Sequence, residues 1–122
     1  MPQTPRSTPV VSGEDMMFFS KIVVSTIADN KTIDSITQDD SDLLGVMTRI
    51  FILYFDGITP TSEVVMKSCG IPASKLKRVY DQLSRKKLLR RLDAAPAKHK
   101  GRMYIYDFTP ELLVKIAKLK AA

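Results

Sequence analysis

The sequence has no tryptophan, one histidine and one cysteine. Cys69 alone cannot close an intramolecular disulfide, and with only His99 beside it in kind it cannot build a zinc site. A reducing, cytoplasmic setting is therefore expected. The same scarcity argues against an enzyme, because Cys69 and His99 fall in separate segments and suggest no nucleophile–base pair. Glycine is scarce too, and no Gly-rich phosphate loop is present. The acids of Asp39-Asp40-Ser41-Asp42 lack the spacing of a calcium loop. No metal or cofactor is expected. Long apolar runs are also missing: Val46 to Phe55 carries Arg49 and is far too short to span a bilayer. Met1 to Ser12 has one arginine and no apolar stretch of the kind a secretory signal needs. No membrane partner is expected.

Positive charge is abundant, and it is unevenly placed. Residues 1–66 carry four basic side chains against nine acidic ones, a net of −5. Residues 67–122 carry fifteen against four, a net of +11, which together give the +6 of the whole chain. Such asymmetry suits a molecule that meets a polyanion with one part and does something else with the other.

Residues 1–12, rich in Pro, Thr and Ser, are expected to form a disordered tail, and residues 13–122 a single domain. Ser12-Gly13-Glu14-Asp15 reads as the cap and acidic first turn of a helix over about 13–29. Its apolar positions Met16, Phe18, Phe19, Ile22, Val23, Val24 and Ile27 form a face wider than one small domain usually covers. Asp29 to Ser41 reads as a polar connector. Asp42 is expected to open a second, central helix that stops at Phe55 before Asp56-Gly57. Ile58-Thr59-Pro60 is a short extended link.

Thr61 caps a third helix over 61–69, with Val65, Met66 and Cys69 turned inward; Cys69 reads as a small core hydrophobe, not a redox sensor. Gly70-Ile71-Pro72 makes a tight turn into a fourth helix reaching about Lys87. Here Leu76, Val79, Tyr80 and Leu83 recur at helical spacing as a buried stripe. Ser74, Lys75, Lys77, Arg78, Asp81, Gln82 and Arg85 point elsewhere. Leu88 to Leu92 and Arg102 to Phe108 read as two strands of a hairpin around a polar loop with Lys98, His99 and Lys100. Thr109-Pro110-Glu111 is a strong helix start. The last helix sets Leu112, Leu113, Ile116 and Leu119 opposite the solvated Lys115, Lys118 and Lys120.

Two helices joined by a short glycine turn, the second with one apolar and one basic face, make a helix-turn-helix that enters the major groove of DNA. A basic-tipped hairpin directly after it can reach the flanking minor groove or backbone. The expected fold is mainly α (α+β), a winged helix-turn-helix: helix-turn-helix over 61–87, wing over 88–108. The segment from Cys69 to Leu83, together with Arg90, Arg91 and Asp93 at the opening of the wing and Phe108-Thr109-Pro110-Glu111 at its close, resembles the MarR family of regulators. PadR-like winged helices stand close behind, on the tyrosine-rich strand preceded by Gly101-Arg102. The family has glycine after the recognition helix where this chain has Lys87.

The resemblance implies that Ser74, Lys75, Lys77 and Arg78 touch DNA and that Arg102 enters the minor groove. Gln82, Lys98 and Lys100 join them as candidate contacts. Surplus apolar surface marks interfaces, so a homodimer is expected through Met16, Phe18, Phe19, Ile22, Val23 and Ile27, helped by Leu112, Ile116 and Leu119. The function expected is that of a sequence-specific, dimeric transcription regulator acting on duplex DNA. An architectural or plasmid-maintenance DNA-binding protein and a winged-helix protein-interaction module are the alternatives. Nothing in the sequence indicates a small-molecule effector.

Overall fold

In the computed structural model the described residues are 13–28, 33–93 and 103–121. The element order is α1 (Gly13–Ile27), a 3-10 turn (Ile33–Ser35), α2 (Gln38–Phe55), α3 (Ser62–Cys69), α4 (Ala73–Arg85), β1 (Leu89–Asp93), β2 (Tyr104–Phe108) and α5 (Pro110–Ala121). No helix among the described residues is long and apolar enough to cross a membrane.

Helix α2 starts at Gln38, four residues before the expected opening at Asp42. Its true cap is Thr37, whose side chain accepts from the Asp40 amide at 3.1 Å while the Asp40 carboxylate accepts from the Thr37 amide at 3.0 Å. This reciprocal pair satisfies two amides of the first turn. Asp40 in place of the usual Glu or Gln made the box look like part of an acidic linker. Asp42 consequently lies inside the helix.

Thr61 caps α3, accepting from the Val64 amide, and Gly70 closes it in the left-handed conformation at φ 65°. Helix α4 ends at Arg85, two residues short of the expected Lys87. Lys87 itself has φ 58°, the left-handed position that favours glycine. Around it the Leu88 amide donates to the Leu83 carbonyl and the Lys87 amide to Ser84, closing the helix end. Lys87→Gly is therefore expected to raise stability by up to about 1 kcal/mol, the left-handed penalty less glycine's entropy. A thermal melt checks it; a loss on substitution would show the penalty is already relieved.

Strands β1 and β2 pair antiparallel, Leu89 opposite Phe108 and Arg91 opposite Tyr106. The link before α3 borders the free edge of β2: the Tyr106 amide donates to the Pro60 carbonyl at 2.9 Å, and Thr61 bridges Ile105. Thr109 ties the hairpin to the next helix, its hydroxyl donating to the Lys87 carbonyl and accepting from the Leu112 amide.

The core is organised around α2, whose Met47, Ile50 and Phe51 are fully buried. Phe19 of α1 stacks tilted on Phe51 at 4.6 Å and on Phe108 at 5.1 Å between ring centres. One aromatic cluster thus joins α1, α2 and the base of the hairpin. Helix α5 packs back on α1.

This placement moves part of the interface expected on the first helix into the core. Phe19, Ile22, Val23 and Ile27, with Leu112 and Ile116 of α5, are buried within the chain. Met16, Phe18 and Leu119 are half-buried against the same core. The wide apolar face of α1 has two covers, α2 and α5. The large apolar side chains that stay exposed on these two helices are Met17, Val24 and Val114. A helix-turn-helix followed by a two-stranded wing, held between α1, α2 and α5, is the winged helix-turn-helix architecture.

Candidate nucleic-acid interface

Helix α4 is built as a two-faced element. Leu76, Val79 and Leu83 are buried and Tyr80 is half-buried, the stripe that the spacing predicts. Ser74, Lys77 and Arg78 are exposed on the opposite face. Gln82 is half-buried at the flank. Lys75 turns toward α2, where its ammonium lies 3.3 Å from the Asp42 carboxylate. The candidate contacts Lys98, Lys100 and Arg102 lie outside the described residues.

The beginning of α4 differs from those of α2 and α3. Thr37 and Thr61 cap the latter two, whereas Pro72 precedes α4 with no side-chain cap, and its first turn has no acid. The first-turn amides and the positive end of the helix dipole there have no side-chain cap and no acid within the turn itself. With Ser74 and Lys77 beside them, they suit a phosphate oxygen.

The base of the wing is held from two directions. Arg90 grips the Asp107 carboxylate with Nη2 at 3.0 Å and Nε at 3.3 Å, and the Asp107 side chain has no exposed surface. The Tyr54 hydroxyl of α2 donates to the Tyr106 carbonyl at 2.6 Å and lies 3.4 Å from the same carboxylate. Arg90 is thereby committed to structure. Arg90→Ala is expected to cost about 3 kcal/mol, the low end for breaking a buried pair, because it takes a partly exposed cation from a fully buried carboxylate. Asp107→Ala should cost less, since the freed guanidinium is partly exposed and rehydrates. Urea denaturation of both variants checks the order, and the reverse order would refute this account.

On the side of the hairpin toward α4, the Arg91 guanidinium lies over the Tyr80 ring at 4.5 Å and over the Tyr104 ring at 4.2 Å. Tyr106, edge-on to Tyr80 at 5.6 Å, completes the group; burial pushes its phenol above the ordinary range, opposed in part by Ser62 and Arg91. No strand pattern pointed to Arg91, since its partners come from two elements.

Cys69 is half-buried at the end of α3, and burial raises its thiol pKa against the opposing pull of Arg49. It lines a cleft of about 230 Å³ between α2, α3 and the start of α4, with Arg49 and Lys75. A thiol held protonated is a poor nucleophile. Among the described residues no group of three His, Cys, Asp or Glu side chains could hold a metal.

No family model matches the chain, and no curated protein matches it. The solved structures similar to it include three regulators. The PcaV transcriptional regulator from Streptomyces coelicolor, solved with its natural ligand, is 17% identical over 88% of this chain at a TM-score of 0.47. This chain spans 64% of that protein's length. NadR in complex with 4-hydroxyphenylacetate is 19% identical, covering 97% of this chain and 77% of its own, at 0.46. ZitR of Lactococcus lactis, a zinc-responsive MarR family member, is 11% identical over 90% and 75% of the two chains, at 0.41.

Proposed function

We propose that this chain is a non-enzymatic, sequence-specific DNA-binding regulator that places α4 in the major groove of duplex DNA. The observation that carries the reading is the outward face of α4, where Ser74, Lys77 and Arg78 stand exposed beside an uncapped helix start. The +11 charge of residues 67–122 supports it, since a module that only docks proteins has no need of a basic recognition face. Lys98, Lys100 and Arg102 are proposed as contacts of the wing to backbone and minor groove.

Arg78 is assigned to base reading and Lys77 to phosphate. On a duplex selected by the parent protein from a random pool, Arg78→Ala should cost ~1–3 kcal/mol and narrow the gap to random DNA. Lys77→Ala should weaken both duplexes alike. Lys75 starts from a disadvantage, because DNA must compete with Asp42 for its charge. Asp42→Asn should therefore tighten binding to both duplexes and steepen the salt dependence by about one phosphate contact. Uniform losses for Arg78→Ala and Lys77→Ala on both duplexes would remove the reading role. A chain that shows no duplex binding at low salt would favour the protein-interaction module instead.

The regulator is proposed to act as a homodimer joined through the outer side of α1 and α5. Met17, Val24 and Val114 are 62%, 49% and 52% exposed there. An open groove of about 450 Å³ lies between the two helices, with Ile22 and Leu119 in its lining and Lys21, Lys115 and Lys118 around it. A two-fold pair would set two α4 helices about 34 Å apart, one turn of DNA, and so require a palindromic site.

A further inference from the structure

We propose that Arg91 is the positioning residue that fixes the wing against the recognition helix, and that the specificity of DNA binding depends on its stacking between Tyr80 and Tyr104 rather than on its charge. The inference rests on the DNA-binding reading of α4 and adds to it a role for a residue that contacts no base in that reading.

The geometry is a sandwich. One ring comes from α4 and the other from β2, while the guanidinium between them belongs to β1, at 4.5 and 4.2 Å from the two ring centres. A planar, weakly hydrated cation stacks on aromatic faces in a way that an ammonium does not reproduce. Tyr106 opposes Arg91 across the strand pair and meets the Tyr80 ring edge-on. Arg91 thus touches the helix and both strands at once. The neighbouring Arg90–Asp107 pair ties the two strands to each other, and Tyr54 ties them to α2. Neither reaches α4.

The consequence for recognition is geometric. A major-groove helix and a wing read DNA together only if the angle between them is held before binding, because ordering it on the DNA would be subtracted from affinity. Random duplex demands only phosphate contacts, which tolerate a looser wing. The sandwich therefore acts on discrimination more than on general affinity.

The test is Arg91→Lys, which keeps the charge and loses the stacking plane. The four tyrosines are the dominant near-ultraviolet chromophores of a chain without tryptophan, so circular dichroism reports the stack directly. The expected results are a changed tyrosine signal and about a tenfold smaller ratio of selected-duplex to random-duplex affinity. The salt slope and the melting temperature should stay close to the parent's. An unchanged tyrosine spectrum overturns the sandwich, whether or not the parent binds DNA. An unchanged ratio with an altered spectrum overturns the positioning role. If Arg91→Lys binds like the parent while Arg91→Ala lowers the salt slope by about one contact, Arg91 is a phosphate ligand and the proposal is also overturned. Failure of the parent to bind any duplex would instead defeat the function proposed above, leaving the spectroscopic arm to decide the sandwich.

Discussion

Phe19→Ala is expected to destabilise the domain by about 3–5 kcal/mol, a large part of the stability of a protein this size. Phe19 is 1% exposed and packs on Phe51 and Phe108, so its removal opens a cavity where α1, α2 and the wing base meet. Surrounding side chains cannot collapse into that space without breaking contacts among three separate elements. Phe19→Glu places a charge in the same cavity and should abolish folding. A reading of α1 as an interface helix expects the opposite, a folded monomer. Urea denaturation of the alanine variant decides between them, and a loss below about 1 kcal/mol would sink the core assignment. The folded monomer belongs to Val24→Glu, which changes an exposed position on the same helix. Sedimentation showing the parent to be a monomer at micromolar concentration would defeat the proposed dimer.

Duplex affinity is expected to fall by about 10³–10⁵ between 50 and 200 mM salt, the response of a dimer neutralising roughly six to ten phosphates. The magnitude follows from counterion release: each phosphate that meets a lysine or arginine frees condensed cations, and added salt opposes their release. Ser74 and the uncapped amides of α4, as proposed phosphate contacts, would release little, because they carry no full charge. The slope thus counts cations and is separate from the total number of contacts. Lys77 and the proposed wing contacts Lys98, Lys100 and Arg102 are the cations proposed to set it, and Lys75 adds to it as far as DNA displaces Asp42. A nearly flat titration would refute DNA binding through this face.

Much of the helix-turn-helix was legible because its signals are local. The apolar spacing of Leu76, Val79 and Leu83, the Thr61 cap and the Gly70 turn each act within a few residues, and the structure places them as the spacing predicts. The Thr37–Asp40 capping box is equally local, yet it was hidden among neighbouring acids that read as a linker. Lys87 was harder. Its left-handed backbone is normally announced by glycine, and here it is imposed by the helix end on one side and the Thr109 hydrogen bond on the other.

Where helices and strands form, to within a few residues at their ends, which side of each is apolar, and the gathering of basic residues after residue 66 follow from propensity, periodicity and charge, which are properties of neighbours along the chain. What covers each face is set by packing between segments distant in the chain. Phe19 is core because Phe51 of α2 and Phe108 of β2 pack over it. Lys75 faces Asp42, thirty-three positions earlier in the chain, instead of standing beside Lys77. Arg90 and Arg91, adjacent and chemically identical, go to a buried carboxylate and to two tyrosine rings. Burial and charge pairing are settled between segments far apart in sequence, and the energy that selects them exists only once those segments meet.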